Sequence, residues 1–185
     1  FEGNDFADNP ITDDNFGTIG GGYFDGSITF NGVFNGAATV ETITSSVGNP
    51  STKVGQIVRH PGSTTAGASI DLSEALVLDL DPIICMTVFT EAVVGTEITL
   101  RIEDSGNSSI FMESTALTTV SGQWDTLCFV YHFAPQTCDR LTFYFDRGNT
   151  GDGSASSTFL FDDIYQPLSN LSLGIFFTPG SQFFC

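Results

Sequence analysis

Apolar and polar residues alternate along most of the chain with the period of two that is typical of β-strands. The clearest example is the segment 97–103, in which Ile98, Leu100 and Ile102 occupy every second position. The segment 140–146 repeats this arrangement with three more apolar residues. Because successive side chains of a strand point to opposite faces, these apolar residues are predicted to lie in a common core.

The same alternation predicts ten strands, which are separated by turns rich in Gly, Asn and Pro. They cover residues 27–34, 39–45, 53–59, 68–72, 83–89, 97–103, 110–114, 124–133, 140–146 and 158–165. The sequence of residues 1–26 predicts an irregular loop that is anchored by isolated apolar residues. The only segment that could form a helical turn is 72–76. Since strands and helices do not alternate, the predicted fold is an all-β antiparallel sandwich.

The length of 185 residues suits one domain with a substantial core, and we do not expect a second large domain within it. We assign residues 1–165 to the sandwich and residues 166–185 to an apolar C-terminal strand or arm. This last segment carries no charged residue and contains two Phe-Phe pairs. It is expected either to fold back on its own domain as a final strand or to add a strand to a neighbouring subunit.

Acidic residues outnumber basic ones by 22 to 5, which gives a formal net charge of −17 at pH 7. Such a field repels phosphate backbones and anionic membrane surfaces, so nucleic acid is not an expected partner. The chain also lacks the run of about 18 apolar residues that a membrane-spanning helix needs, so membrane insertion is not expected. The acidity is consistent with a Phe-rich protein that stays soluble in a salty medium.

Four cysteines, at positions 85, 128, 138 and 185, occur without a C-x-x-C pair and with only two histidines. This pattern disfavours zinc and favours two disulfides made in an oxidising compartment. With the apolar neighbours of Cys85 and Cys128 pointing inward, both cysteines lie on outer faces, where they could bridge neighbouring strands. Of the three possible connectivities, we favour Cys85 with Cys128 and Cys138 with Cys185.

The disulfides indicate a protein that is secreted or held at the cell surface. No signal peptide opens the chain, so an export signal would have been removed before Phe1. Two sequons are present, and they make Asn107 and Asn170 candidate N-glycosylation sites in a cell that modifies such sites.

No cluster of catalytic residues is apparent in the sequence. Glycoside hydrolysis needs two carboxyl groups held about 5–9 Å apart in a cleft, whereas the adjacent acids Glu103 and Asp104 stand at a strand end, where solvated side chains are expected. Neither His60 nor His132 is accompanied by the G-x-S-x-G turn of a nucleophilic serine. We therefore do not expect an enzyme.

Three segments, in this order, resemble the jelly-roll carbohydrate-binding modules of marine Bacteroidetes surface glycan-binding proteins and laminarinase-associated domains. They are Phe1-Glu2-Gly3, the run 97–111 and the run 141–164, and the sequence GQWDTL at 122–127 adds to the likeness. The similarity extends over residues 36–165, with the opening triplet as a separate match. It implies a jelly roll that binds a β-glucan-like polysaccharide without catalysis.

The resemblance also implies a structural Ca²⁺, held between Glu2 and Asp162 or Asp163, since Ca²⁺ prefers several oxygen ligands. Sequence alternation places Asp162 on the same face as Leu160 and Ile164, and Asp163 on the opposite face. One of these two aspartates is therefore expected to be partly buried and to need a partner.

Sugar recognition in this family relies on aromatic side chains, and here the sequence departs from the family. The expected Trp-Ala-Gly triplet is replaced by Thr65-Ala66-Gly67. The remaining candidates for stacking on a sugar ring are Trp124, the only tryptophan, and Tyr23 and Phe24 in a Gly-rich loop. An alternative function is a structural subunit of an extracellular filament or surface layer that assembles through the apolar C-terminal arm.

Overall fold

The computed structural model describes residues 30–34, 38–44, 48, 53–62, 64–72, 75–76, 78, 82–132 and 137–166. Its strands are β1 (Phe30–Phe34), β2 (Ala38–Thr44), β3 (Lys53–Arg59), β4 (Gly67–Asp71), β5 (Ile83–Thr90), β6 (Glu97–Asp104), β7 (Asn107–Leu117), β8 (Gln123–Val130), β9 (Arg140–Phe145) and β10 (Thr158–Tyr165). A short 3-10 helix, Ala155–Ser157, precedes β10.

The ten strands form two antiparallel sheets of five strands each. The β9 sheet has the order β1-β4-β9-β6-β7, and the β10 sheet has the order β2-β3-β10-β5-β8. Most consecutive strands lie in different sheets, as in jelly rolls, whereas β2-β3 and β6-β7 are hairpins within one sheet. The predicted all-β antiparallel sandwich is thus confirmed. No helix within the described ranges is long and apolar enough to span a membrane.

The core lies between the two sheets, and most of the strand residues in it are those that the alternation identifies. Phe143 packs against Phe161 with 5.4 Å between ring centroids, and Phe145 packs against Phe159 at 5.0 Å. The inward-facing residues of β5, β6 and β8 are buried as predicted: Ile84, Met86, Val88, Ile98, Leu100, Ile102, Leu127 and Phe129. Burial of each side chain of this size contributes about 1.5–3 kcal/mol, so these eight residues stabilise the sandwich substantially.

Strand β10 departs from strict alternation at Asp162 and Asp163. Asp163 has a φ of 47°, in the left-handed region, and the register with β5 shifts after Asp162. Phe161 and Ile164 consequently both reach the core, although three positions separate them. The prediction that Ile164 shares a face with Asp162 and Leu160 is therefore wrong, because a β-bulge inserts one extra residue into the strand.

The loop between β9 and β10 is held in place by Arg59, which is buried at the end of β3. Its guanidinium forms a salt bridge with Asp146, 3.1 Å from Nη1 to Oδ2, and donates to the carbonyl oxygen of Asn149. The carbonyl oxygen of Arg59 accepts a hydrogen bond from the amide of Gly153 at 2.9 Å. A Cβ at Gly151 would overlap the Arg59 carbonyl, so this close approach requires glycine.

A disulfide joins Cys85 of β5 to Cys128 of β8, which lie directly opposite each other with 4.1 Å between their Cα atoms. The predicted pairing of these two cysteines is confirmed. Cys138 is buried and forms no disulfide with another described residue. Its predicted partner Cys185 lies outside the described residues, so the second disulfide stays a prediction.

Candidate functional site

One surface of the sandwich, the side of the β9 sheet that faces away from the core, carries three parallel rows of polar and aromatic residues. We call it the outer face. The strand register aligns the residues of each row across β4, β9, β6 and β7. The rows are Gly67, Tyr144, Thr99 and Thr115; Ser69, Thr142, Arg101 and Glu113; and Asp71, Arg140, Glu103 and Phe111. Side chains at such cross-strand positions are close enough to interact.

Arg101 occupies the centre of the outer face. Its Nη2 lies 2.9 Å from Oε2 of Glu103 and donates to the carbonyl oxygen of Ser108 at 2.9 Å. A second carboxylate, that of Glu113, lies 3.9 Å from Nη1. The guanidinium carbon is 3.7 Å from the ring centroid of Phe111, which is a cation-π contact. These contacts fix the planar guanidinium group in one orientation.

A second arginine, Arg147, follows the end of β9 and covers the neighbouring part of the outer face. Its Nη1 lies 2.8 Å from Oε2 of Glu113, and its guanidinium carbon is 4.6 Å from the ring centroid of Tyr144. Burial raises the pKa of Tyr144, although Arg101 and Arg147 lower it in part. The phenol therefore stays neutral at physiological pH and can both donate and accept a hydrogen bond.

Buried polar side chains form the floor under these arginines. Thr142 donates from Oγ1 to Oε1 of Glu103 at 2.5 Å, and the hydroxyls of Thr99 and Thr115 lie 3.2 Å apart. Thr99 and Thr142 are each only 2% exposed. Since hydrogen bonds in a poorly solvated setting are strong, this floor limits the movement of the charged groups above it.

The outer face gathers most of the positive charge of the protein. Arg140 at its border binds Asp71, with 2.5 Å from Nε to Oδ1, and this hydrogen bond raises the pKa of Arg140. Together with Arg101 and Arg147, it accounts for three of the five basic residues in a chain of net charge −17. Each of the three arginines is paired with a carboxylate, so the surface combines many fixed donors and acceptors with little local charge.

Trp124, the tryptophan predicted to bind a sugar, lies elsewhere in the structure. It is half-buried on β8, opposite Phe89 of β5, and the two ring centroids are 5.8 Å apart. It therefore lies on the outward side of the β10 sheet, across the sandwich from Arg101. Tyr23 and Phe24 fall outside the described residues, so their role in sugar binding stays a prediction.

The two aspartates predicted to hold Ca²⁺ lie in the β10 bulge. Asp162 is fully buried, Asp163 is half-buried, and the amide of Asp163 donates to Oδ1 of Asp162 at 2.8 Å. Thr87 also donates to Oδ2 of Asp163 at 3.4 Å. Glu2 lies outside the described residues, and within the described part of the chain no group of three or more His, Cys, Asp or Glu side chains could hold a metal.

Of the two sequons, Asn107 is exposed at the turn between β6 and β7, beside the outer face. Its Oδ1 accepts a hydrogen bond from the amide of Ser109 at 3.2 Å. Asn170 falls outside the described residues.

Sequence reasoning did not find the outer face as a site. The outward position of Arg101 and Glu103 was visible in the alternation, as was the scarcity of basic residues. What the sequence lacked was the register that places Glu113 and Tyr144 beside them.

No family model and no curated protein matches this chain in sequence. Solved structures do match its fold. The family 29 carbohydrate-binding module CBM29-2 has a TM-score of 0.52 and 13% identity, over 84% of this chain and 88% of that chain. The family 11 carbohydrate-binding module of the cellulosomal cellulase Lic26A-Cel5E of Clostridium thermocellum has a TM-score of 0.51 and 11% identity, over 86% of this chain and 94% of that chain.

A third structure, described as carbohydrate-binding modules from the β-sandwich superfamily, has a TM-score of 0.51 and 12% identity, over 85% of this chain and 61% of that chain. At these identities the likeness concerns the fold, and the Bacteroidetes lineage stays a prediction. The chain has the β-sandwich fold that these carbohydrate-binding modules share.

Proposed function

We propose that this chain is a non-catalytic carbohydrate-binding module, secreted or held at the cell surface, and that it binds a β-glucan-like polysaccharide on the outer face. The observation that carries the proposal is the gathering of three arginines and two aromatic rings on one surface of an otherwise acidic protein. The fold shared with carbohydrate-binding modules and the disulfide between Cys85 and Cys128 support it.

The chemistry of the outer face suits a ligand rich in hydroxyl groups. The guanidinium groups of Arg101 and Arg147 donate hydrogen bonds in a plane, and the carboxylates of Glu103 and Glu113 accept them. Phe111 is 44% exposed and offers an apolar surface to the C–H groups of a sugar ring. Because the groups are held by the protein before the ligand arrives, little conformational entropy is lost on binding.

The charges favour a neutral polysaccharide over an anionic one. Each arginine of the outer face is already paired with a carboxylate, so none offers a free positive charge to a uronate or a sulfate. The net charge of −17 repels polyanions as well. Binding is therefore expected to change little with ionic strength.

We test this site with isothermal titration calorimetry against a soluble β-glucan. Arg147→Gln and Phe111→Ala are each expected to weaken binding about tenfold, or about 1.4 kcal/mol. Trp124→Phe, on the opposite side of the sandwich, serves as the control and should leave the affinity unchanged. If only the Trp124 variant lost binding, the binding site would lie on the β10 sheet instead. If the folded chain bound no polysaccharide at all, the proposed function would be refuted.

We further propose that Asp162 and Asp163, with Glu2, bind a structural Ca²⁺. A fully buried carboxylate next to a second one supplies the oxygen ligands that Ca²⁺ prefers, and the ion would offset their mutual repulsion. The expected result is a melting temperature that rises with Ca²⁺ and falls with EDTA in the wild type. Asp163→Asn should abolish this difference, and a melting temperature independent of Ca²⁺ would contradict the proposal.

Asn107 is proposed as a glycosylation site because its side chain is exposed and its sequon lies in a surface turn. When a cell that glycosylates sequons secretes the chain, intact mass spectrometry should show added hexosamine and hexose. Asn107→Gln should remove that mass. An unmodified Asn107 peptide from such a cell would rule the site out.

A further inference from the structure

We propose that a glycan attached to Asn107 covers the outer face and blocks polysaccharide binding, an inference that rests on the proposed function. The sequon 107–109 touches the outer face directly, because Nη2 of Arg101 donates to the carbonyl oxygen of Ser108 at 2.9 Å. The middle residue of the sequon is thus bound to the arginine at the centre of the site. A modification of the residue before it changes the surroundings of that arginine.

The pairing of β6 with β7 brings Asn107 close to the row of the outer face that contains Phe111. Phe111 lies opposite Glu103, and Asn107 lies opposite the next residue of β6, Asp104. Four residues of β7 therefore advance by only one residue along β6, which is about 3.4 Å. A regular strand would separate Asn107 from Phe111 by about 13 Å. The register shift thus places the attachment point near the exposed aromatic ring.

The side chain of Asn107 is available for attachment. It is exposed, and its Oδ1 accepts a hydrogen bond from the amide of Ser109 at 3.2 Å. This hydrogen bond turns the side chain toward Ser109 and leaves Nδ2, the atom that carries an N-linked glycan, without a partner among the described residues. Attachment joins Nδ2 to the anomeric carbon of a lipid-diphosphate-linked oligosaccharide, while Nδ2 loses a proton and the lipid diphosphate leaves.

The attached glycan shares the chemistry of the proposed ligand. Its hexosamine and hexose units are neutral and rich in hydroxyl groups, and the outer face suits neutral sugars because Arg101 and Arg147 are already paired with carboxylates. A group on a short flexible tether has an effective concentration of about a millimolar, so weak contacts are enough for it to occupy the site. Its bulk also lies where a polysaccharide approaches Phe111, which is 44% exposed.

The test is isothermal titration calorimetry against a soluble β-glucan, with all proteins secreted from a cell that glycosylates sequons. Every protein carries Asn170→Gln, which removes the second sequon. The protein with a glycan on Asn107 should bind about tenfold more weakly than the same protein with Asn107→Gln, which carries no glycan. Ser109→Ala also removes the glycan but keeps Asn107, and it should bind as tightly as Asn107→Gln.

The matched control moves the glycan to the opposite end of the strands. Adding Ser154→Asn to Asn107→Gln creates a new sequon at 154–156. Ser154 is exposed and follows β9, which begins opposite Glu103 and runs away from it. This variant carries a glycan of the same kind far from the sequon at 107–109, and it should bind the β-glucan as tightly as Asn107→Gln alone.

Intact mass spectrometry establishes which proteins carry a glycan. Equal affinity with and without a glycan on Asn107 would overturn the inference, as would an unmodified Asn107 or an equal loss of affinity in the Ser154→Asn variant. In each of these cases, binding by Asn107→Gln leaves the proposed function intact. If Asn107→Gln itself bound no polysaccharide, the proposed function would fail, and the inference would fail with it.

Discussion

The ion pair between Arg59 and Asp146 is expected to contribute measurably to stability. The substitution Asp146→Asn tests this contribution because it removes the negative charge and keeps the size of the side chain. The Arg59 side chain is 1% exposed and that of Asp146 is 27% exposed. Burial lowers the pKa of Arg59, and the neighbouring Asp146 raises it in opposition. Asparagine keeps the size of the side chain and tolerates the positive φ of 54° at this position, so backbone strain is not added.

The expected loss follows from the burial of the two partners. Breaking a fully buried pair costs about 3–5 kcal/mol, because it leaves an uncompensated charge. Since Asp146 is partly exposed and the amide retains an acceptor oxygen, we expect a loss of about 2–3 kcal/mol. For a chain of this length that corresponds to a melting temperature about 4–12 °C lower.

Urea unfolding, followed by far-UV circular dichroism, measures this free energy. The decisive comparison is the double variant Arg59→Met with Asp146→Asn, in which the buried charge is also removed. It is expected to be more stable than Asp146→Asn alone, because a packed apolar side chain replaces an unpaired charge. Wild-type stability of Asp146→Asn would refute this account of the loop. So would a loss in the double variant equal to the sum of the losses in Arg59→Met and Asp146→Asn alone.

Three further predictions concern other parts of the sandwich. Replacing Cys85 and Cys128 by serine should lower the free energy of unfolding by about 4 kcal/mol, since the disulfide closes a loop with a sequence separation of 43; a change below about 1 kcal/mol in urea unfolding would contradict it. Gly151→Ala should lower the melting temperature clearly, because the added methyl group meets a backbone carbonyl; an unchanged value in differential scanning calorimetry would disprove the close approach. The pKa of Asp152 is lowered to about 2, mainly by hydrogen bonds from Ser154. Its contribution to stability should therefore be present above the unfolded value of 3.8 and vanish as the pH falls through 2, and NMR titration of Ser154→Ala should show a higher pKa.

The strands and the core could be predicted from the sequence because a period of two is a local property. Each of Ile98, Leu100 and Ile102 is fully buried, as its position in the alternation requires. The pairing of Cys85 with Cys128 followed from the same reasoning, since both cysteines occupy outward positions of strands that proved to be neighbours.

The β10 bulge and the outer face could not be predicted in this way. The bulge depends on the left-handed backbone of Asp163, which no local pattern of apolar residues announces. The outer face depends on which strands are neighbours: Arg101 contacts Glu113 and Phe111 only because β6 pairs with β7 in one particular register. Alternation predicts which face of the sheet a side chain lies on, but it does not predict which side chains of the adjacent strands contact it.

The position of β10 has a mechanical consequence. This strand lies in the middle of its sheet, with β3 on one side and β5 on the other, and it runs antiparallel to both. If the outer face of the β9 sheet is held by a ligand, as proposed, tension that enters through the C-terminal end of β10 is directed along that strand. The hydrogen bonds of β10 to β3 and β5 then bear the load at the same time and must rupture nearly at once. Strands that are peeled apart, by contrast, lose their hydrogen bonds one after another.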